Sequence, residues 1–186
     1  MTVDELMQDG VRRMDQAVEH TRTEFNTVRT GRASAALLDR IAIDYYGQET
    51  PLKQLATISA PEARLLTVQP YDKGSIKMIE RAIMESDLGL TPNNDGSIIR
   101  LQIPELTEER RKQLVKVVRG LTEEGKVALR SIRRDVMHDL KELKDAGEAG
   151  ADDEHRAEEA LQKLTDEKVK ELDALLKGKE AEILEV

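Results

Sequence analysis

Between Met7 and Val28 the residues Met7, Val11, Met14, Val18, Thr21, Phe25 and Val28 stand alternately four and three positions apart, with polar residues filling most of the gaps. A mean spacing near 3.5 predicts a long helix packed lengthwise against long partners. Thr2-Val3-Asp4-Glu5 ahead of it reads as a capping box, in which the Thr2 and Glu5 side chains satisfy orphan amides reciprocally. The same period returns after residue 107 as Leu114, Val118, Leu121, Gly125, Ala128, Ile132, Val136, Leu140 and Leu143. This predicts a second helix starting at Thr107, with Glu108 and Glu109 opposing the dipole of its first turn and Gly147 supplying the residue beyond its end. Its length would be roughly 60 Å at 1.5 Å per residue. A third helix is expected after Gly150, capped by Asp152 or Asp153, with Leu161, Leu164, Leu172, Leu175 and Ile183 as its stripe. Lys168 falls on that stripe and must snorkel. Three such helices predict a bundle whose last two members are antiparallel, because their connection is short.

The pattern changes over residues 31–104. All five prolines (Pro51, Pro61, Pro70, Pro92, Pro104) lie there, and a proline inside a packed helix costs ~3 kcal/mol. Arg40–Gly47, Arg64–Pro70 and Ser97–Pro104 read as strands, and Ile76, Ile79, Ile83 and Leu88 read as one helix stopped at Gly89. The expected fold class is therefore α+β: a long three-helix bundle with a β/α/β domain inserted between its first and second helices. The bundle domain would comprise residues 1–30 plus 105–186, and the inserted domain residues 31–104. Thr30-Gly31 and Ile103-Pro104-Glu105 are the two tethers, readable as a hinge or as a stiff elbow.

Composition narrows the class. Cysteine and tryptophan are absent and aromatics make up 2% of the chain, so disulfides and thiolate metal sites are excluded. No apolar run approaches the ~18 residues of a membrane span, and MTVDELMQDG lacks a signal-peptide core. A cytoplasmic protein is expected. The net charge of −8 is unevenly spread: residues 107–146 carry 11 basic and 8 acidic groups, net +3, whereas 147–186 carry 6 and 13, net −7.

The positive segment has a geometry. At 100° per residue, Lys112, Lys116, Arg119, Lys126, Arg133, Arg134, Lys141 and Lys144 fall within about 60° of Arg130, opposite the apolar seam. Two readings stay open. The cations form a solvated face paired with neighbouring carboxylates, each exposed pair worth ~0–1 kcal/mol, or they form a linear edge for phosphates, which the guanidinium fork suits. With so few aromatics, contact would be to the backbone and shape of folded RNA, not to stacked bases. Catalytic readings find no support. His20, His138 and His155 are scattered, Asp72–Lys77 (DKGSIK) lacks phosphate-loop spacing, and Ala151–His155 (ADDEH) reads as a helix start. No catalytic residue, metal ligand or cofactor is expected.

The chain also resembles the ribosome recycling factor family. The resemblance runs through Arg29–Ser34 (RTGRAS), Asp44–Gly47 (DYYG), Ser86–Leu90 (SDLGL), Leu106–Lys112 (LTEERRK), Val118–Gly120 (VRG), Arg130–Asp135 (RSIRRD) and Gln162–Asp166 (QKLTD). It implies an L-shaped protein of tRNA size, monomeric and not an enzyme. Such a protein binds the large ribosomal subunit through 23S rRNA and acts with elongation factor G and GTP to split post-termination ribosomes, freeing mRNA and tRNA. It implies rRNA contacts at Arg130 and Arg133, with Arg134, Arg110 and Arg29 as further basic members of matching motifs. Lys126 and Arg119 join the candidate rRNA-binding set from the ridge. Hinge positions are implied at Thr30, Gly31, Ile103, Pro104 and Glu105. The rival expectation is a coiled-coil adaptor that binds a partner helix without RNA, with exposed seam positions and self-association.

Overall fold

A computed structural model describes residues 1–28 and 30–185, the last of these by its backbone only. The chain forms two compact units, Met1–Arg29 with Glu108–Glu185, and Thr30–Thr107.

The first unit is a three-helix bundle of α1 (Val3–Asn26), α4 (Glu108–Asp145) and α5 (Ala151–Glu185). The capping box forms: the Glu5 amide donates to Thr2 Oγ1 at 3.2 Å, and the Thr2 amide donates to Glu5 Oε2 at 2.8 Å. At the far end of α4, Gly147 sits at φ +76, and the amides of Gly147 and Glu148 return to the carbonyls of Lys144 and Leu143. That left-handed stop reverses the chain into α5. Asp152 and Asp153 lie inside the first turn of α5 and do not cap it, since the helix begins at Ala151.

Met14, Val18, Leu129, Val136, Leu140, Leu161 and Leu172 form the centre of the core. The seams differ from expectation in phase. In α1, Leu6 and Gly10 are buried where Met7 and Val11 were expected, and Val11 is exposed. In α4, Thr122 and Leu129 are buried in place of Leu121 and Ala128. The buried stripe of α4 is thus turned by roughly 25° from the wheel-based seam. The cause is tertiary: α4 packs against both α1 and α5, and the core shared by the three helices takes in Leu129 and Leu140. Lys168 does lie on the α5 stripe, reaching out to Asp15 at 2.6 Å and Glu171 at 3.1 Å.

The second unit contains β1 (Ala42–Tyr45), β2 (Gln48–Pro51), α2 (Leu52–Leu55), β3 (Ala56–Glu62), β4 (Leu65–Pro70), α3 (Ile76–Glu85), β5 (Pro92–Asn94) and β6 (Ile99–Gln102). A β1–β2 hairpin stands apart from a four-stranded antiparallel sheet of order β3-β4-β6-β5. Leu66, Val68, Ile99 and Leu101 alternate inward from the two central strands and meet Ile76, Ile79 and Ile83 of α3. Sequence patterning locates these central strands but misses β2, β3 and β5. Strands β3 and β5 are sheet edges, exposed along most or part of their length and containing Pro61 and Pro92. Such strands carry little hydrophobic alternation. The strand expected to run to Gly47 ends at Tyr45, because Tyr46 and Gly47 both take positive φ and turn the chain.

Candidate nucleic-acid interface

Ion pairing with α5 sorts the cations opposite the buried stripe of α4 into two groups. One group leans on α5. Arg119 Nε meets Glu180 at 2.7 Å, Lys126 Nζ meets Asp173 at 2.7 Å and Glu123 at 3.6 Å, and Lys144 Nζ meets buried Glu154 at 2.6 Å. Only 16% of the Lys126 side chain is exposed. The hydrogen bond that its ammonium donates to Asp173 outweighs desolvation and raises the Lys126 pKa, as the bond donated to Glu154 does for Lys144. These cations are neutralised where they stand and help to clamp the two helices together.

The other group faces away. Lys116, Arg130, Arg134 and Lys141 are exposed, and among the described residues none forms an ion pair. Of the flanking acids, Asp135 pairs with Arg13 of α1 at 2.8 Å, and Glu142 lies 3.2 Å from His138. Four positive side chains therefore project from one helix edge with no ion pair to any described residue.

Arg133 stands between the groups. Its Nη1 donates to Gln162 Oε1 at 2.8 Å, and the Gln162 amide donates to Asp166 Oδ1 at 3.0 Å. The guanidinium is held in place by a neutral acceptor, so it is oriented without losing its charge. A wheel drawn on α4 alone could not show this. The available signal was that Lys126 follows Arg119, and Glu180 follows Asp173, by seven residues. Antiparallel helices bring such pairs opposite each other.

The remaining predicted positions are more dispersed. Arg110 is exposed near the start of α4 and donates to Gln113 at 3.1 Å. Arg29 lies outside the described residues. Of the tether residues, Ile103 belongs to the core of the smaller unit and its amide donates to Arg64 O at 2.7 Å. Thr30 is buried, Pro104 and Glu105 are exposed, and Gly31 takes φ +76 against Leu106. The histidines are exposed and each faces a glutamate four residues on in its own helix. Among the described residues, no three His, Cys, Asp or Glu side chains converge as metal ligands, and no helix is long and apolar enough to cross a membrane.

Fold and surface together define a two-unit α+β protein whose distinguishing feature is an edge of uncompensated cations along one long helix. Comparison with known proteins sharpens the class. The profile described as "Ribosome recycling factor" matches residues 21–184, and this chain belongs to that family. It is 57% identical over 180 residues to the ribosome-recycling factor of Rubrobacter xylanophilus, covering 97% of both chains. Against the factor of Listeria monocytogenes serotype 4a it is 53% identical over 182 residues, covering 98% of both. A solution structure of the ribosome recycling factor superposes with a TM-score of 0.76 at 40% identity, covering 99% of this chain and 98% of that one. A second structural relative comes from models for the T. thermophilus ribosome recycling factor and the E. coli elongation factor G bound to the E. coli post-termination complex. It has a TM-score of 0.66 at 45% identity and covers 99% of this chain and 100% of that one.

Proposed function

We propose that this protein recycles ribosomes after termination: it binds the post-termination ribosome and acts with elongation factor G and GTP to part the subunits and free mRNA and tRNA. Support comes from near-full-length identity to ribosome-recycling factors and from a structural relative described on the post-termination complex with elongation factor G. The observation that carries the residue-level reading is the edge of Lys116, Arg130, Arg134 and Lys141, with Arg133 fixed beside it by Gln162.

In this reading the bundle docks on 23S rRNA phosphates through Arg130, Arg133 and Arg134. A straight helix presents its cations at a regular rise and so follows a sugar–phosphate backbone without reading bases. Arg119 and Lys126, already bonded to α5, hold the edge rigid. Arg110 and Arg29 are secondary contacts. The protein works as a monomer in the cytoplasm without covalent chemistry of its own, and GTP hydrolysis belongs to its partner factor. The tethers at Thr30-Gly31 and Ile103-Pro104-Glu105 let the smaller unit move as that factor acts. The RNA-free adaptor reading draws little support, because Leu129, Leu140, Leu161 and Leu172 are fully buried by the bundle's own helices.

Co-sedimentation with 50S subunits tests the edge. Arg133→Glu abolishes binding while leaving the helical circular dichroism and melting nearly unchanged. With about four phosphates neutralised, log affinity falls against log salt with a slope near −3. Retained binding by the variant, or a flat salt response, refutes the phosphate-docking role.

A further inference from the structure

Three of the chain's four aromatic residues are tyrosines, and all three lie in the smaller unit around the β1–β2 hairpin tip. Two local rules are broken there. Tyr46 occupies a left-handed position at φ 52, the only described non-glycine residue with positive φ. A two-residue hairpin turn favours asparagine or glycine at that position, and a bulky side chain there is strained. The same side chain is 84% exposed, so no burial offsets the strain. On the flanking strands, Asp44 lies directly opposite Glu49 in the ladder. Like charges facing each other across a strand pair are destabilising, and neither carboxylate forms an ion pair with any described residue. The surroundings add to the same surface. The Tyr45 ring meets Tyr46 edge-on with centroids 4.6 Å apart, and its hydroxyl donates to Asp72 at 3.4 Å. Asp72 follows Tyr71, itself 71% exposed.

We infer that the tip carrying Asp44, Tyr46, Glu49 and Asp72 is a docking surface for an arginine- or lysine-bearing segment of a protein partner. A cation placed over the Tyr46 face is drawn by the ring quadrupole, and it brings counter-charge to the opposed carboxylates. Exposed tyrosines supply rigid contact area at low entropic cost. A phosphate backbone is disfavoured, because three carboxylates with no basic partner would repel it. This surface is thus complementary in sign to the basic edge of α4. The inference rests on the smaller unit alone and stands or falls separately from the recycling reading.

The chain lacks tryptophan, so its emission comes from Tyr45, Tyr46 and Tyr71 of the smaller unit. The full-length protein is titrated with a short peptide alternating arginine and glycine, its counterpart alternating glutamate and glycine, and a short oligouridylate. Tyrosine emission and the Gly47 amide resonance are followed. Only the arginine peptide shifts both, and Tyr46→Ala weakens its binding by about fivefold. The pair Asp44→Asn with Glu49→Gln weakens it to a similar degree and flattens its salt dependence. Tyr46→Asn relieves the left-handed strain, so it raises Tm while still losing the peptide. A purely structural tyrosine would not give these opposite signs. Equal binding by wild type, Tyr46→Ala and the Asp44→Asn/Glu49→Gln pair overturns the inference, as does an oligouridylate-induced shift at Gly47 or a lower Tm for Tyr46→Asn.

Discussion

Lys126 and Arg130 lie one helical turn apart and are indistinguishable as ridge members on a wheel, yet the tertiary structure gives them different work. Lys126 is bonded to Asp173 at 2.7 Å and Glu123 at 3.6 Å with its stem largely covered, and Arg130 is exposed with no ion pair. Truncating each to alanine separates the roles. Lys126→Ala loses an ion pair of up to ~1 kcal/mol together with some stem burial, and leaves Asp173 without its partner. The bundle should lose about 1 kcal/mol, which for a unit of this size lowers Tm by ~4–5 °C. Arg130→Ala removes an exposed side chain and should move Tm by no more than ~2 °C. Its cost appears in binding: one phosphate contact fewer reduces the log–log salt slope of 50S association by roughly 0.7–0.9. Lys126→Ala should keep that slope. Calorimetry and salt-dependent co-sedimentation on the two variants give four readings. Equal effects of both substitutions on slope would refute the division of the ridge into a clamp and a docking edge.

Two more outcomes follow from packing and charge. A Cβ on Gly125 would stand 2.5 Å from Thr21 Oγ1 and 3.0 Å from Leu172 Cδ1, whereas one on Gly120 would meet nothing within 4 Å. Gly120→Ala should therefore stabilise the bundle by roughly 0.5–1 kcal/mol through helix propensity alone. Gly125→Ala meets an overpacking cost of ~1–3 kcal/mol that exceeds the same gain, so thermal melts should move in opposite directions. In the smaller unit, the Arg100 guanidinium, with the amides of Ser97 and Ile98, holds the Asp95 carboxyl down at about 2 from its usual 3.8. A depressed carboxylate stabilises the fold fully above its unfolded pKa, and that contribution is lost as pH falls through the folded value. The β5–β6 loop should thus weaken between about pH 4 and pH 2. Asp95→Asn should remove that acid dependence, as followed by the amide resonances of Ser97 and Ile98.

What the sequence alone determined was much of what depends on one element at a time. Thr2 and Glu5 cap α1 through three residues of chain, and Gly147 ends the α4 turn through its own φ. The confinement of all five prolines to one segment marked the change of architecture, because a proline's missing donor acts locally. The ordered motifs from Arg29–Ser34 to Gln162–Asp166 pointed to the family without any geometry. Edge strands β3 and β5 stayed illegible, since an edge buries too little to write a period of two into its residues. The ridge was legible as a charge pattern but not as a site. A helical wheel assigns each side chain an angle, but it cannot say at which angles neighbouring helices stand. Packing α4 between α1 and α5 decided that. It turned the buried stripe onto Thr122 and Leu129, gave Arg119, Lys126 and Lys144 to the acids of α5, and drew Asp135 away to Arg13. Arg130 and Arg134 were left as uncompensated charge, because ion pairs form between side chains within a few ångströms and only the tertiary structure sets those distances.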